Sequence, residues 1–346
     1  MINPVTVAWH FLQAQLRPIP VPTKSYAGCT VIVTGASGGL GLEAARHFAR
    51  LGAARLILAC RSTERGEAAR ADIASAAAAG ASTAIEVWPL DLCSFDSVRA
   101  FCRRAEAELD RLDVLLENAA VLSITPGGMA EGYEVQVTTN VISTFLMVLM
   151  LLPLMRRTAA RFNVEPAVTV VGSEGHFWTR FVEKDQPRIF EAFRPGGAMQ
   201  ERYMTTKLLD ILVMRELAAR LDAAAAPGPS PIVVNAANPG LCKSGLFRNV
   251  FLVARLFLAV ATFAIGRTSE QGSRALLAAA AGGRETHGKY VDCGRVDDPS
   301  PFVLSKEGRA VQQRVWDELM EILDGIEPGV SANVKQPPLS ARAASG

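Results

Sequence analysis

The chain has 346 residues, of which 49% are hydrophobic, so it can bury a sizeable core as one large α/β domain or two small ones. Its 36 Lys and Arg residues against 34 Asp and Glu residues leave a net charge of +2 without a basic block, which argues against nucleic acid as a partner. The six cysteines show neither C-x-x-C nor Cys/His ligand spacing. We therefore predict no metal site and expect small buried thiols in a reducing compartment.

Residues 1–27 form a predicted N-terminal extension. Its apolar patch is interrupted by His10, Gln13 and Gln15, and three prolines follow. The extension lacks the basic start and the small-residue cleavage site of a signal peptide. We expect it to pack on the domain of a cytoplasmic protein, with an interfacial membrane anchor as the alternative.

A β-branched run at residues 30–34 passes directly into a glycine-rich turn and a helical pattern, which is the order of a nucleotide-binding βα unit. Gly35 permits a tight turn, Gly39 lets backbone approach a pyrophosphate, and Gly41 lets the helix pack closely on its strand. The free N–H groups of the helix N-terminus then face the anion. The predicted phosphate loop comprises Gly35, Ser37, Gly38, Gly39, Leu40 and Gly41, and a plain glycine turn is the alternative.

The second predicted strand, residues 55–60, ends without an acid. An NAD-binding protein usually places Asp or Glu there for the adenosine ribose, but Cys60, Arg61 and Ser62 occupy this position. A cation suits a 2′-phosphate, so Arg61 predicts NADPH as the cofactor. A solvated arginine after the strand is the alternative.

The next two predicted strands, residues 83–88 and 114–116, end in further candidate contacts. Asp91, followed by Leu92, either accepts a hydrogen bond from an adenine amino group or caps the helix that opens near Ser94. After the fourth strand, Asn118 and Ala119 are small enough to allow close approach to a cofactor.

Residues 131–155 form a long predicted helix whose second half is apolar on nearly every face. Such a helix is buried in a core or a subunit interface. As a membrane span it is too short, because its continuous apolar run covers only residues 145–155 and a span needs about 20. Asn140 is the polar exception, and a buried asparagine that only satisfies helix carbonyls is the alternative to a functional one.

The fifth predicted strand, residues 168–172, ends at Ser173, and a helix over residues 203–221 places Tyr203 and Lys207 one turn apart on one face. Such a pair alone is weak evidence, since tyrosine and lysine are common on helix surfaces. Between them lies an irregular insert, residues 174–202, whose aromatic side chains we expect to line a pocket: Phe177, Trp178, Phe181, Phe190 and Phe193.

The sixth predicted strand, residues 232–237, runs into Asn238, Pro239 and Gly240. A helix at 268–281, a short strand at 289–291, an amphipathic helix at 306–323 and a flexible tail at 327–346 complete the chain. Because strands and helices alternate, we predict a single doubly wound Rossmann domain over residues 28–326. Its sheet is expected to be mostly parallel and seven-stranded, with helices on both faces and ligands at the carboxyl ends of the strands.

In this order the motifs resemble those of the short-chain dehydrogenases/reductases over about residues 28–300, and most closely the retinol-dehydrogenase-like branch and its fungal relatives. The matching motifs are Thr34-Gly35-x-x-x-Gly39-x-Gly41, Asp91-Leu92, Asn118-Ala119, Asn140, Ser173, Tyr203-x-x-x-Lys207 and Asn238-Pro239-Gly240. The resemblance implies a catalytic tetrad of Asn140, Ser173, Tyr203 and Lys207. It also implies that Tyr203, Lys207, Pro239, Gly240 and Ser244 contact the cofactor.

Reducing a carbonyl needs a hydride on carbon and a proton on oxygen, and Tyr203 can supply the proton. Its ordinary pKa of about 10 is high for this task, but the neighbouring cation of Lys207 favours the phenolate. The resemblance further implies that Lys207 binds the nicotinamide ribose, Ser173 orients the carbonyl oxygen, Asn140 positions a relaying water and Ser244 contacts the carboxamide.

Two features depart from the family pattern. The usual Asn-Asn-Ala-Gly is Glu117-Asn118-Ala119-Ala120 here, which puts the geometry of that turn in doubt. Ser173 and Tyr203 are 30 residues apart rather than about a dozen, so the insert between them is where substrate preference should differ.

A strongly apolar stretch, residues 246–265, follows the sixth strand within a predicted lid at 241–266. Composition and resemblance both predict an apolar roof over the nicotinamide and substrate. An ordinary buried helix and a membrane-contacting lid are the alternatives, although Arg255 near the middle disfavours a membrane span.

We therefore predict an NADP(H)-dependent ketoreductase or alcohol dehydrogenase that acts on a bulky apolar substrate, in secondary metabolism. Peripheral membrane contact and a homodimer are open alternatives for its partners. The rival functions are a non-catalytic dinucleotide-sensing or scaffold protein on the same fold, which loss of Tyr203 or Lys207 would favour, and an epimerase or dehydratase.

Overall fold

The computed structural model describes residues 4–76, 83–123, 128–196, 199–243 and 262–335. Its main sheet has eight strands, and a separate hairpin has two. The main sheet contains β1 (Thr30–Thr34), β2 (Arg55–Cys60), β3 (Ala84–Pro89), β4 (Val114–Glu117), β7 (Ala167–Val171), β8 (Val233–Asn238), β9 (Tyr290–Asp292) and β10 (Arg295–Asp297), and the hairpin consists of β5 (Met129–Ala130) and β6 (Tyr133–Glu134).

The strand order is β10-β9-β8-β7-β4-β1-β2-β3, and every pair except β9–β10 is parallel. The doubly wound fold is thus confirmed, but the count of seven strands is wrong. The extra strand, β10, turns back on β9 as a short antiparallel hairpin at the edge of the sheet. The chain order reverses beside β1, so the crevice for a ligand lies at the carboxyl ends of β1 and β4.

Helices cover both faces of the sheet. They are α1 (Pro4–Leu16), α2 (Gly39–Arg50), α3 (Thr63–Ala76), α4 (Phe95–Glu108), α5 (Val135–Val137), α6 (Ser143–Phe162), α7 (Ile189–Ala192), α8 (Met199–Ala225), α9 (Ser269–Ala281), α10 (Pro301–Leu304), α11 (Lys306–Ile326) and α12 (Ala332–Lys335). The apolar faces of α2, α3 and α9 form one core, and those of α4, α6, α8 and α11 form the other. Nearly all side chains of β1, β2, β4, β7 and β8 are buried because both faces of the sheet are covered there.

The long helix predicted from residue 131 begins later than expected. Glu131 and Gly132 have φ of 55° and 85° and form the turn of the β5–β6 hairpin. Helix α5 follows, and then a π-helical turn over Thr138–Ile142 that contains Asn140 leads into α6. A π-helical turn of this kind often marks a functional position in a helix.

The prediction that this helix is too short for a membrane span is wrong, because the helical stretch Val135–Phe162 is long and apolar enough to cross a membrane. However, 89% of its most apolar 18-residue window is buried inside the fold. The all-round apolar pattern therefore belongs to a core helix, as predicted. Its side chains contribute to the core shared with α4 and α8.

The aromatic side chains of the insert were expected in a pocket, but three of them are core residues. Phe181, Phe190 and Phe193 are only 1–2% exposed. Glu318 of α11 accepts hydrogen bonds from the backbone N–H groups of Ile189 and Phe190, at 2.8 Å each, and this fixes the insert against the core.

The N-terminal extension is tied into the domain. Gln15 at the end of α1 bonds the backbone of Leu241 and Ile265, and Arg267 donates to the carbonyls of Ala14 and Arg17. The outer face of α1 leaves large apolar side chains in solvent: Trp9, Leu12 and Leu16. The interfacial-anchor alternative for this helix stays a prediction.

The predicted C-terminal tail starts too early. Val330 and Val334 are 4% and 3% exposed and belong to the main core, so residues 327–335 are part of the fold. Apolar contacts with α6 and α8 override the turn-forming composition of this segment. Residues 336–346 lie outside the described residues, and so do Ser244 and residues 246–261 of the predicted lid.

Candidate active site

One cavity of about 1200 Å³ opens at the carboxyl ends of the parallel strands. It is lined by the segments that follow β1, β2, β3, β4, β7 and β8 and by one face of α8. The structure thus brings almost all the predicted site residues to one place: Gly35, Ser37, Gly38, Gly39, Leu40, Arg61, Asp91, Leu92, Asn118, Ala119, Ser173, Tyr203, Lys207, Pro239 and Gly240 line it. A cavity of this size holds a dinucleotide and leaves room for a second ligand.

The glycine loop after β1 has the backbone that its sequence predicts. Gly35 and Gly39 have φ of +67° and +58°, a region that L side chains rarely adopt. A Cβ added at Gly41 would lie 2.5 Å from Asn118 Nδ2 and 2.6 Å from the Gly35 carbonyl oxygen, so only glycine allows α2 to pack this closely. Gly38 provides no side-chain cap for α2, and the helix N-terminus is left to bind an anion in the cavity.

The cavity wall after β2 is cationic. Arg61 and Arg65 both line it, with Ser62 between them and Cys60 where an acid would bind ribose hydroxyls. Arg65 was missed by the sequence analysis. It lies one turn after Arg61 at the start of α3, and that spacing is the signal that could have identified it. A Cβ on Gly38 would lie 3.6 Å from the guanidinium of Arg65, so this cation is next to the phosphate loop.

Asp91 does not cap α4. The N-cap is Ser94, whose hydroxyl accepts from the Ser97 N–H at 3.3 Å. Asp91 Oδ1 accepts from the Cys93 N–H at 3.0 Å, and the residue lines the cavity. Of the two alternatives, the contact with a bound adenine remains.

The unusual turn after β4 is held by the end of β1. The hydroxyl of Thr34 accepts from the backbone N–H groups of Asn118 and Ala119 at 2.9 and 3.0 Å. The Asn118 amide donates back to the Thr34 carbonyl at 2.8 Å. The turn therefore keeps small residues at the cavity wall although its sequence departs from Asn-Asn-Ala-Gly.

Ser173, Tyr203 and Lys207 converge on one wall of the cavity. Ser173 follows β7, and its hydroxyl accepts from the Gly175 N–H at 3.1 Å. An interaction of the same hydroxyl with the phenol lowers the pKa of Tyr203. Lys207 Nζ lies 5.8 Å from the centre of the Tyr203 ring. This is the arrangement of a phenol that can exchange a proton beside a fixed cation.

Burial raises the pKa of Tyr203 above its usual value, the charge of Lys207 lowers it, and the charge of Asp210 raises it again. The charge of Lys207 thus lowers the pKa of the phenol as expected, but burial has the larger effect and leaves the pKa above its usual value. Lys207 is 3% exposed and donates to the Val171 carbonyl at 2.8 Å and to Asp210 Oδ2 at 3.0 Å. Asp210 was missed by the sequence analysis, although its position three residues after Lys207 places it on the same helix face.

Asn140 is buried behind the cavity wall. Its Oδ1 accepts from the Val121 N–H at 2.8 Å, and its Nδ2 donates to the Val121 carbonyl at 3.0 Å and to Thr206 Oγ1 at 3.1 Å. It therefore does more than satisfy the carbonyls of its own helix: it joins the segment after β4 to α8, one residue before Lys207. Its part in a proton relay stays a prediction.

The loop after β8 is fixed from outside the predicted domain. Gly240 has φ of +74°, and a Cβ there would lie 2.4 Å from Arg267 Nη1 and 2.5 Å from Gln15 Oε1. Gln15 accepts from the Leu241 N–H at 2.9 Å, and Phe11 of the same helix lines the cavity. Sequence reasoning missed this role of α1, because nothing local shows that the extension reaches the sixth strand.

Among the described residues, one cluster has the spacing of a metal site: ligand atoms of His10, Asp292 and Asp297 lie within 4.8 Å of one another. His10 pairs with Asp297 at 3.2 Å, and Asp292 accepts from Asn238 at 2.7 Å. The second oxygen of Asp292, Oδ2, is buried without a partner. The absence of a metal site stays a prediction. All six cysteines are free.

Comparison with known proteins connects this site to one family. A family model described as short chain dehydrogenase matches residues 29–163. The chain is 40% identical over 336 residues to the short chain dehydrogenase/reductase dmxR8 of Cryptosporiopsis sp., covering 93% of this chain and 99% of that protein. It is also 40% identical over 329 residues to the short-chain dehydrogenase anuD of Penicillium roqueforti, covering 93% and 85% of the two chains.

Solved structures show the same fold. An uncharacterized protein from Mycobacterium paratuberculosis aligns with a TM-score of 0.60 at 26% identity, covering 86% of this chain and 96% of that one. Pseudomonas aeruginosa RhlG, solved as an NADP active-site complex, aligns with a TM-score of 0.57 at 24% identity over 77% of this chain and 95% of RhlG.

Proposed function

This chain belongs to the short-chain dehydrogenase/reductase family of oxidoreductases, and we propose that it is an NADPH-dependent enzyme that interconverts a carbonyl and an alcohol on a bulky apolar substrate. The convergence of Ser173, Tyr203 and Lys207 on the wall of a cavity that also contains the dinucleotide loop carries this proposal.

The residues present fit a nicotinamide dinucleotide. The positive φ angles of Gly35 and Gly39 and the uncapped N-terminus of α2 form a cradle for the pyrophosphate. When bound, the nicotinamide supplies or accepts the hydride. Asn118 and Gly240 line the same cavity and are small enough to allow a cofactor to approach.

The chain's own residues handle the oxygen of the substrate. Tyr203 donates a proton to that oxygen in reduction and removes it in oxidation. The Ser173 hydroxyl, which lines the same cavity as the phenol, orients the oxygen toward it. Lys207 holds its charge beneath the phenol, fixed by the Val171 carbonyl and Asp210.

Arg61 and Arg65 support NADPH over NADH. A 2′-phosphate offers a dianion that two guanidinium groups can bind, whereas no carboxylate follows β2 to accept from the ribose hydroxyls of NAD. The RhlG complex, which contains NADP, is in line with this choice.

The remaining walls support an apolar substrate. The same cavity is lined by hydrophobic side chains of the N-terminal helix, of the insert, of α8 and of the loop after β8: Phe11, Trp178, Met204 and Leu241. The predicted roles of residues 246–265 as a roof and of Ser244 as a carboxamide contact extend this proposal beyond the described residues. The fungal sources of the relatives favour the predicted role in secondary metabolism.

The experiment that tests this function compares wild type with Tyr203→Phe in NADPH-coupled turnover of a panel of apolar ketones and alcohols. We expect Tyr203→Phe to abolish turnover and to leave NADPH binding, measured by fluorescence, near wild type, because only the transferable proton is lost. Tyr133→Phe, which alters a half-buried tyrosine in β6, is the matched control and should retain activity. Substantial activity in Tyr203→Phe would contradict the mechanism, and NADPH binding without turnover of any substrate would favour a dinucleotide sensor.

A further inference from the structure

The ammonium of Lys207 is paired with a buried acid. Lys207 Nζ is 3.0 Å from Asp210 Oδ2, and the two side chains are 4% and 0% exposed. Asp210 has no second hydrogen-bond donor at its other oxygen, Oδ1, which is buried without a partner. Among the described residues, Lys207 is therefore the one hydrogen-bond donor to this carboxylate. Burial of such an ion pair costs desolvation free energy, so the pair by itself is weak evidence for stability.

The pair changes what Tyr203 experiences. A lone ammonium beside a phenol stabilises the phenolate and lowers the pKa of the phenol. A carboxylate on the far side of the ammonium offsets this effect, because the two opposite charges act together as a dipole. In agreement, the charge of Asp210 raises the pKa of Tyr203 while that of Lys207 lowers it.

A second buried acid, Glu117 of β4, faces the same pair and belongs to the turn that departs from the family pattern. Its Oε2 accepts from Thr34 Oγ1 at 3.2 Å, and its Oε1 is buried without a partner. Burial and the charge of Asp210 raise the pKa of Glu117 to about 8, whereas that of Asp210 is about 6. Of the two acids, Glu117 therefore keeps its proton to the higher pH.

The electrostatic surroundings are otherwise simple. Among the described residues of α8, only Tyr203, Lys207 and Asp210 shift one another's pKa through their charges. Besides burial, the charge of Asp210 raises the pKa of Glu117 on β4. Burial and then the charge of Glu117 raise the pKa of the Cys102 thiol on α4. Apart from Tyr203 and Glu117, no charged side chain of the described residues acts on Lys207 or Asp210.

We propose that Asp210 is a positioning residue that acts through Lys207: it fixes the ammonium beneath Tyr203 and offsets its charge, so that Tyr203 keeps its proton up to alkaline pH. This inference rests on the proposed function and deepens it. A phenol that stays protonated is the proton donor that carbonyl reduction needs, so the site is set for reduction rather than alcohol oxidation near neutral pH.

The test is the pH profile of kcat/KM for carbonyl reduction with NADPH, in wild type and in Asp210→Asn. Reduction requires the protonated phenol, so the rate falls on the alkaline side with the pKa of Tyr203. With the offsetting charge removed, we expect that fall to occur about one pH unit lower. Asp210→Glu, which keeps the charge, should restore the wild-type profile. Asp222→Asn, a matched change near the end of α8 at a residue paired with Arg284, should leave it unchanged.

Two outcomes would overturn the proposal. A lower kcat with an unmoved pH profile would make Asp210 only a structural partner, and a shift to higher pH would mean that Asp210 serves to keep Lys207 charged. If Asp210→Asn does not fold, the proposal is tested by ultraviolet titration with NADPH bound. The phenolate absorbance of Tyr203→Phe is subtracted from that of wild type, so that the difference reports the ionisation of Tyr203. We expect Tyr203 to keep its proton at least up to the ordinary pKa of a tyrosine, about 10, and ionisation below it would refute the inference. This titration needs no turnover, so it is informative even if the proposed reaction fails.

Discussion

Glu117→Gln tests whether the acid beneath the site carries a proton in the folded protein. Glu117 is 3% exposed, and burial, followed by the charge of Asp210, raises its pKa from 4.5 to about 8. Because the folded chain binds this proton more tightly than the unfolded chain does, the stabilisation is fully present below the unfolded pKa and is lost as the pH rises toward 8. Each pH unit in this window corresponds to about 1.36 kcal/mol. The free energy of unfolding of wild type should therefore fall by about 3 kcal/mol between about pH 5 and pH 8 because of Glu117.

Gln is the neutral analogue of the protonated side chain and does not titrate. We therefore expect the free energy of unfolding of Glu117→Gln, measured with urea, to rise relative to wild type by about 3 kcal/mol between about pH 5 and pH 8. Glu86→Gln is the control, because the hydrogen bond from Arg55 lowers the pKa of Glu86. Glu86 is therefore ionised in the folded protein throughout this pH range. The difference between Glu86→Gln and wild type should stay flat. A flat difference for Glu117→Gln as well would refute the assignment of a proton to Glu117.

Two further changes probe the cofactor site. Arg61→Asp should weaken NADPH binding far more than NADH binding in a fluorescence titration, because only NADPH offers a 2′-phosphate to the cation; equal affinity of wild type for the two cofactors would contradict the assignment. Gln15→Ala should lower the free energy of unfolding by about 2 kcal/mol through four lost hydrogen bonds. It should also raise the KM for NADPH, and the exposed Gln13→Ala on the same helix should do neither.

The parts of the fold that depend on local pattern were predictable. The apolar runs define β1 and β2 at their observed positions, since a strand buried on both faces shows as a continuous apolar run. The glycines of the loop after β1 were also predictable, because their φ angles and close contacts exclude other residues.

The parts that depend on distant partners were not predictable. Phe190 and Phe193 look like pocket residues in an irregular insert, but the carboxylate of Glu318, more than a hundred residues away, fixes their segment to the core. Helix periodicity alone continued the long helix back to Glu131, although the glycine that follows it in the chain has the backbone of a hairpin turn. Composition likewise assigned residues 327–335 to a tail, because it does not record what Val334 packs against.

The site follows the same division. Tyr203 and Lys207 are recognisable because their chemistry requires a fixed spacing on one helix face, and such spacing is visible in the sequence. Asp210 is on that face too, but an acid on a helix is ordinary, and only its burial against Lys207 makes it notable. Arg65 is similar, since its exposed position on α3 becomes informative once Gly38 is next to it.

The position of α1 alters how the domain should be defined. The loop after β8 turns at Gly240, whose absent side chain leaves the space that Gln15 and Arg267 occupy. Gln15 bonds both backbone groups of Leu241, so the cofactor-side loop and the N-terminal helix are ordered together. Because Phe11 of this helix also lines the cavity, a chain that began near residue 28 would lose one wall of the site as well as a support of the loop. These contacts favour counting α1 as part of the catalytic unit rather than as an appendage.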